Sequence, residues 1–168
     1  TYPNFRLPSY TQWMYAANGG IEWCNVYSWG GMYVRDENGN LKQNFKTANG
    51  DYSDNGKGIA FVSPVDAYEP NNFGLYDMGG NVKEWVNDAY SLSYFSNCVP
   101  FDPVCIDENN PIKIVVGGNF HSPARELQIG NIDTEHKDNA RGDLGFRCVM
   151  SCPESKNPRT CNNAFKRK

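Results

Sequence analysis

The 168-residue sequence contains no uninterrupted apolar run near the length of about 18 residues that a membrane-spanning helix requires. It carries no excess of basic charge. Sixteen Lys and Arg face nineteen Asp and Glu, a net charge of -3, which removes the electrostatic case for nucleic acid. Histidine is scarce, with only His121 and His136, and no two cysteines form a Cys-x-x-Cys, so no zinc site is spelled out. No Gly-x-Ser-x-Gly elbow is present to expose a nucleophilic serine. The Gly79-Gly80 and Gly117-Gly118 pairs are not followed by Lys-Ser or Lys-Thr, so they read as tight turns rather than phosphate loops. The opening Thr1-Tyr2-Pro3-Asn4 does not read as a signal peptide, and a leader removed before it would leave no trace.

Against these absences stands a composition that folds. Hydrophobic residues make up 39% and aromatics 14%, and aromatic rings bury much area per residue. The length suits one domain. The six cysteines fall at 24, 98, 105, 148, 152 and 161. Their spacing suggests two local bridges, Cys98–Cys105 and Cys152–Cys161, which leaves Cys24 with Cys148 and favours an oxidising compartment; buried free thiols are the alternative. After Cys152 the chain is basic, with Lys156, Arg159, Lys166, Arg167 and Lys168 against Glu154, and reads as a solvated tail.

Ser9-Tyr10-Thr11-Gln12 is the Ser-x-x-Gln capping box, and Tyr10, Trp13, Met14 and Ala17 share one helical face before Asn18-Gly19-Gly20 ends the helix. The Gly-, Asn- and Asp-rich stretch from Asn38 to Gly58 shows no periodicity and predicts a long ordered loop. Short strands are predicted at Ile59–Val62, Val82–Val86, Ile112–Val116 and Leu144–Met150, with Trp85 and Glu84 on opposite faces of the second. One helix, short strands and long loops make an irregular α+β domain.

Several motifs then follow in order: Arg6-Leu7-Pro8-Ser9, Tyr27-Ser28-Trp29-Gly30, Pro64-Val65-Asp66-Ala67-Tyr68 and Pro70-Asn71-Asn72-Phe73-Gly74-Leu75-Tyr76-Asp77-Met78. Gly80-Asn81-Val82-Lys83-Glu84-Trp85, Gly117-Gly118-Asn119-Phe120 and Leu144-Gly145-Phe146-Arg147-Cys148 complete the series. The series resembles the formylglycine-generating-enzyme or sulfatase-modifying-factor family, a variant of the C-type-lectin-like fold. The resemblance implies one such domain over residues 1–150 and a cysteine-containing basic tail over 151–168. Family domains carry further strands and a helix before the Arg-Leu-Pro segment, so a longer parent protein is expected.

Catalytic members of that family bind copper through two cysteines near the Gly-Gly motif and oxidise a substrate cysteine, because Cu(I) prefers sulfur. Here no cysteine lies between Cys105 and Cys148, and the stretch reads His121-Ser122-Pro123-Ala124-Arg125-Glu126-Leu127-Gln128-Ile129. No copper is therefore expected, nor formylglycine generation. A facial iron triad from His121, His136 and Asp138 has the right residue types, but surface histidines are the plainer reading. Calcium is the cofactor that the resemblance implies. It matches Asp77 and Glu84 as side-chain ligands with Gly80 and Val82 as carbonyl donors, and places a second site at Asn44, Phe45 and Asp54. The alternative is that these acids cap turns or pair with cations. Calcium wants six to eight oxygen ligands, and its role here would be to order loops.

Within the family, Tyr27 through Arg35, Asn44-Phe45-Lys46, Gly50-Asp51-Tyr52-Ser53-Asp54 and Asp138-Asn139-Ala140-Arg141 most resemble the gliding-motility and type IX secretion lipoproteins of Bacteroidota. The implied function is a non-catalytic scaffold of an envelope assembly at the periplasmic face of the outer membrane. Its partners would be other envelope proteins, with any membrane contact made through a lipid anchor outside this chain. Two alternatives are a ligand-binding C-type-lectin-like module and a divergent metal-dependent oxidase or oxygenase. The absence of aromatics between His121 and Arg141 weighs against the first.

Overall fold

The computed structural model describes residues 5–20, 25–48, 61–93 and 101–150. Its helix forms where the capping box predicts. Helix α1 spans Tyr10–Asn18, Ser9 Oγ accepts from the Gln12 N–H at 3.2 Å, and the Gln12 side chain accepts from the Ser9 N–H in return. Gly19 closes the helix at φ +66°, a left-handed cap in which its N–H donates to the Ala16 carbonyl. The first turn is fixed from outside as well, because the Tyr10 N–H donates to Asp88 Oδ2 at 2.7 Å. Asp88 is fully buried, and its other oxygen accepts from the Cys105 N–H.

Strand β1 (Phe5–Arg6) precedes the helix, and β2 (Lys83–Ala89), β3 (Ile112–Val116), β4 (Asp133–His136), β5 (Leu144–Phe146) and β6 (Val149–Met150) follow it. Four of them form a sheet in the order β4-β3-β2-β5, and β1 pairs with β6 in a separate ribbon. Strands β2 and β3 are antiparallel with Trp85 opposite Val115, whereas β5 runs parallel to β2 with Gly145 opposite Glu84. The helix packs on one face of this sheet. Tyr10, Trp13 and Ala17 meet Val86, Ile114 and Val116, with Met78 and Ile129 closing the cluster. A smaller cluster of Tyr27, Phe45 and Leu127 holds the loops together.

The observed strands differ from the sequence expectations: β1 was not foreseen, and the strand expected at Val82–Val86 runs on to Ala89. The expected Ile59–Val62 strand falls partly outside the described residues, and Phe61 and Val62 lie in no strand. The single expected strand Leu144–Met150 is two strands in two sheets, because Arg147 leaves the ladder between them to reach Glu84. Strand β4, Asp-Thr-Glu-His, went unforeseen: it is a polar sheet edge with no apolar alternation to announce it. No helix among the described residues is long and apolar enough to cross a membrane.

Replacing Ser9 with Ala removes one half of the capping box; urea denaturation is expected to show a loss of about 1 kcal/mol with an unchanged m-value.

Candidate functional site

Alternation along β2 points Glu84 inward beside Val86 and Asp88, and Glu84 is only 5% exposed. Its carboxylate is met from two directions. Trp13 Nε1 donates to Oε2 at 2.7 Å from the helix. Arg147 forks onto it from the end of β5, with Nε to Oε2 at 2.6 Å and Nη2 to Oε1 at 2.5 Å. Arg147 Nη2 also donates to the Tyr76 and Asp77 carbonyls at 3.1 and 3.3 Å. Helix, central strand, edge strand and the Asp77 turn therefore converge on one buried anion.

The Asp77 turn holds a second polar centre. Asp77 sits at φ +52° and Asn81 at φ +61°, and the Asn81 side chain donates to Asp77 Oδ2 at 3.0 Å and to the Ser63 carbonyl at 3.1 Å. Asn81 Oδ1 accepts from the Ser63 N–H. Its own backbone donates to the Asn44 carbonyl at 2.9 Å and accepts from the Phe120 N–H at 3.0 Å. Gly80 permits this approach: at φ +85°, an added Cβ would lie 2.5 Å from the Asn44 oxygen. Asn81 thus joins four loops. The sequence signal for it, its place in Gly-Asn-Val-x-Glu-Trp, marked a motif but not this role.

Asp77 Oδ1 is buried and completes no hydrogen bond among the described residues. Burial pushes the Asp77 carboxyl above the ordinary Asp range, against the pull of the Asn81 hydrogen bond, the nearby Gln43 side chain and the Arg147 charge. An orphaned buried carboxylate oxygen suits a cation, and Glu84 Oε1 accepts only from Arg147, which leaves it a lone pair. Of the first expected calcium site, Asp77, Gly80, Val82 and Glu84, the Asp77 oxygen has the chemistry to take the ion, while Arg147 and Trp13 already hold the Glu84 end. At the second, Asn44 and Phe45 are buried, and Asn44 Nδ2 donates to the Phe61 carbonyl at 2.8 Å. Asp54 lies outside the described residues.

The loop after Gly117-Gly118 is built from oxygen donors. Ser122 is buried, with its Oγ 3.1 Å from Asn119 Oδ1 and 2.8 Å from Glu126 Oε2. Asn119 Nδ2 donates to Asp143 Oδ2 at 2.7 Å, and Arg141 clamps Asp143 through Nε and Nη2. This set offers no sulfur and does not fit Cu(I). His136 pairs with Asp138 at 3.6 Å, while the His121 ring lies against Phe120. Among the described residues no three His, Cys, Asp or Glu side chains gather to hold a metal, so the His121, His136 and Asp138 triad is not assembled.

The cysteine expectations need correction. Cys105 and Cys148 carry free thiols, so the Cys98–Cys105 and Cys24–Cys148 bridges are not formed in the structure. Hydrogen bonds anchor the Cys105 loop instead: its N–H donates to Asp88, its carbonyl accepts from Ala89, and Thr11 Oγ1 donates to the Pro103 carbonyl. Burial, with Asp88 and Asp107 adding to it, pushes the Cys105 thiol up. Cys24, Cys98, Cys152 and Cys161 lie outside the described residues.

Two measurements test these networks. Arg147→Met leaves the Glu84 charge buried and unpaired, and is expected to cost about 3–5 kcal/mol in chemical denaturation, with Glu84→Gln in the same background recovering part of it. Arg141 holds the Asp143 carboxyl below the usual carboxylate range, so this pair stabilises fully above the ordinary Asp value. That contribution is lost as pH falls through the depressed folded value, and Asp143→Asn should flatten this acid limb of stability against pH.

This geometry agrees with comparisons to known proteins. Residues 1–152 match the Sulfatase-modifying factor enzyme 1-like domain. The inactive C-alpha-formylglycine-generating enzyme 2 of Mus musculus is 34% identical over 152 residues, covering 90% of this chain and 44% of the relative. The formylglycine-generating enzyme of Streptomyces coelicolor is 29% identical over 148 residues, covering 86% of this chain and 46% of that enzyme. The chain thus spans less than half the length of these two relatives. Among solved structures, Treponema denticola variable protein 1 superposes with a TM-score of 0.70 at 25% identity, over 88% of this chain and 48% of that one. The fold is the irregular α+β, C-type-lectin-like fold of the formylglycine-generating enzymes, and the chain belongs to the sulfatase-modifying-factor family.

Proposed function

We propose that this domain is a non-catalytic, calcium-stabilised structural part of a bacterial envelope assembly, acting in gliding motility or type IX secretion. The observation that carries the non-catalytic half is the Gly117–Ile129 loop. Where a copper enzyme needs thiolates, this loop gathers the oxygens of Ser122, Asn119 and Glu126, with the one Ser122 O–H proton between the Asn119 and Glu126 acceptors. The existence of relatives named inactive, in mouse, makes a family member without the oxidase reaction a reasonable reading. The gliding and secretion half rests on the motif series from Tyr27 to Arg35, Asn44-Phe45-Lys46 and Asp138 to Arg141. On this reading the partners are other envelope proteins at the periplasmic face of the outer membrane, and an anchor outside this chain makes any membrane contact. Calcium, when bound, would supply positive charge to Asp77 and Glu84 and order the loops between Asn44 and Glu84. The unpartnered Asp77 oxygen supports it.

A second reading, a ligand-binding module, rests on the C-type-lectin-like fold itself. A third, a divergent oxidase, is kept open by the similarity to an active formylglycine-generating enzyme.

One preparation separates these readings. Purified protein loaded with copper, and supplied with oxygen, a reductant and a cysteine-bearing peptide, is expected to leave the peptide mass unchanged; formylglycine formation overturns the scaffold reading. Metal analysis of the same protein is expected to find calcium. Calcium at about one hundred times Kd should raise stability by about 2.7 kcal/mol, an effect lost in Asp77→Ala.

A further inference from the structure

The sheet face turned away from the helix carries Lys83, Trp85 and Asn87 on β2, Lys113 on β3, and Asp133 and Glu135 on β4, with Lys137 just beyond. Its charges are unevenly spent. Lys83 pairs with Asp133, and Glu135 accepts from Arg141 and Asn139. His136 faces Asp138. Lys113 and Lys137 enter no ion pair among the described residues, and Lys113 Nζ reaches only the neutral Asp107 carbonyl at 3.2 Å.

Both line one cavity. It encloses about 300 Å³ and is walled by Leu7, Trp85, Val86, Asn87, Lys113 and Lys137. Leu7 and Trp85 give it a flat apolar side. Among the described residues the Trp85 indole N–H and the Asn87 side-chain amide make no hydrogen bond, and both residues line the groove with the two lysines. Few convergent polar groups over an apolar wall are the usual composition of a small-molecule site, and this volume suits one ring.

We propose that this groove binds a small organic anion, a carboxylate carried on a ring. The carboxylate meets Lys113 and Lys137, the ring lies on Trp85 beside Leu7, and Asn87 hydrogen-bonds the ring's polar edge. The site lies on the sheet face opposite the Glu84 and Asp77 centres, so it stands or falls independently of the scaffold and calcium readings.

The test is a titration of the whole protein followed by amide NMR shifts, with benzoate and glucuronate as probes and benzamide and glucose as their neutral analogues. Saturable shifts centred on residues 85–87, 113 and 137 are expected from at least one acid, and the preferred acid distinguishes an aryl ring from a sugar ring. The neutral analogue should bind at least about tenfold more weakly, as should the acid to the Lys113→Gln/Lys137→Gln double variant, the loss expected from removing charge-assisted bonds. Lys42→Gln, on a distant loop, serves as a control that should bind as the parent does. No saturable shift with either acid, equal binding of the neutral analogue, or undiminished binding by the folded double variant would overturn the proposal.

Discussion

The Glu84 carboxylate sets the terms for the rest of this fold. An anion taken out of water costs several kcal/mol unless its partners are close and correctly aimed. Trp13 and Arg147 provide those partners, one from the helix and one from the chain leaving the edge strand. The fold must therefore dock α1 so that an indole N–H faces β2, and must bring β5 alongside β2 in parallel so that Arg147 arrives at the same point. Apolar contacts among Trp13, Val86 and Val116 tolerate small shifts. A forked guanidinium does not, so this ion pair adds register to a core otherwise held by burial and by the Asp88 bond to the first turn of α1.

Away from the sheet, long segments carry little regular structure, yet their backbone groups still need partners when buried. Asn81 answers much of that need by bonding the Asn44, Ser63, Asp77 and Phe120 segments. Its left-handed conformation and the glycine before it let the turn press against the Asn44 carbonyl. Phe45 and Leu127 then pack beneath it in the smaller cluster. The loops are ordered by a polar hub over an apolar floor. That arrangement explains how an irregular chain holds shape with so few strands.

Much of this was legible from residue order. The capping box fixed α1 to the residue, and the apolar run Ile112–Val116 coincides with β3, because both signals are local. The split of the last strand was not legible: Leu144 to Met150 reads as one strand until Arg147 is seen to leave the ladder for a carboxylate sixty-three residues earlier in the chain. Strand β4 escaped notice because a sheet edge facing water needs no apolar alternation. The candidate site was legible by position and not by partner. Asp77 and Glu84 stood out through their motif, while their competition for Arg147 and the role of Asn81 depend on contacts between distant segments. Cysteine spacing misled, because proximity in sequence does not show that a loop already tied down by Asp88 needs a covalent bridge.

The family holds proteins named as formylglycine-generating enzymes and others named as inactive, so membership alone does not decide whether a chain is catalytic. The distinction has to lie in what the fold presents. In this chain the loop following Gly117-Gly118 turns its polar side chains on one another: Ser122 bonds Asn119 and Glu126, Asn119 bonds Asp143, and Asp143 bonds Arg141. A network of hydroxyl, amide and carboxylate groups anchored by a guanidinium rigidifies a loop, and between Gly117 and Ile129 it includes no soft sulfur ligand. Unspent groups lie elsewhere, at Asp77 and along the outer sheet face. They are the places where this chain differs from a fully satisfied structural shell.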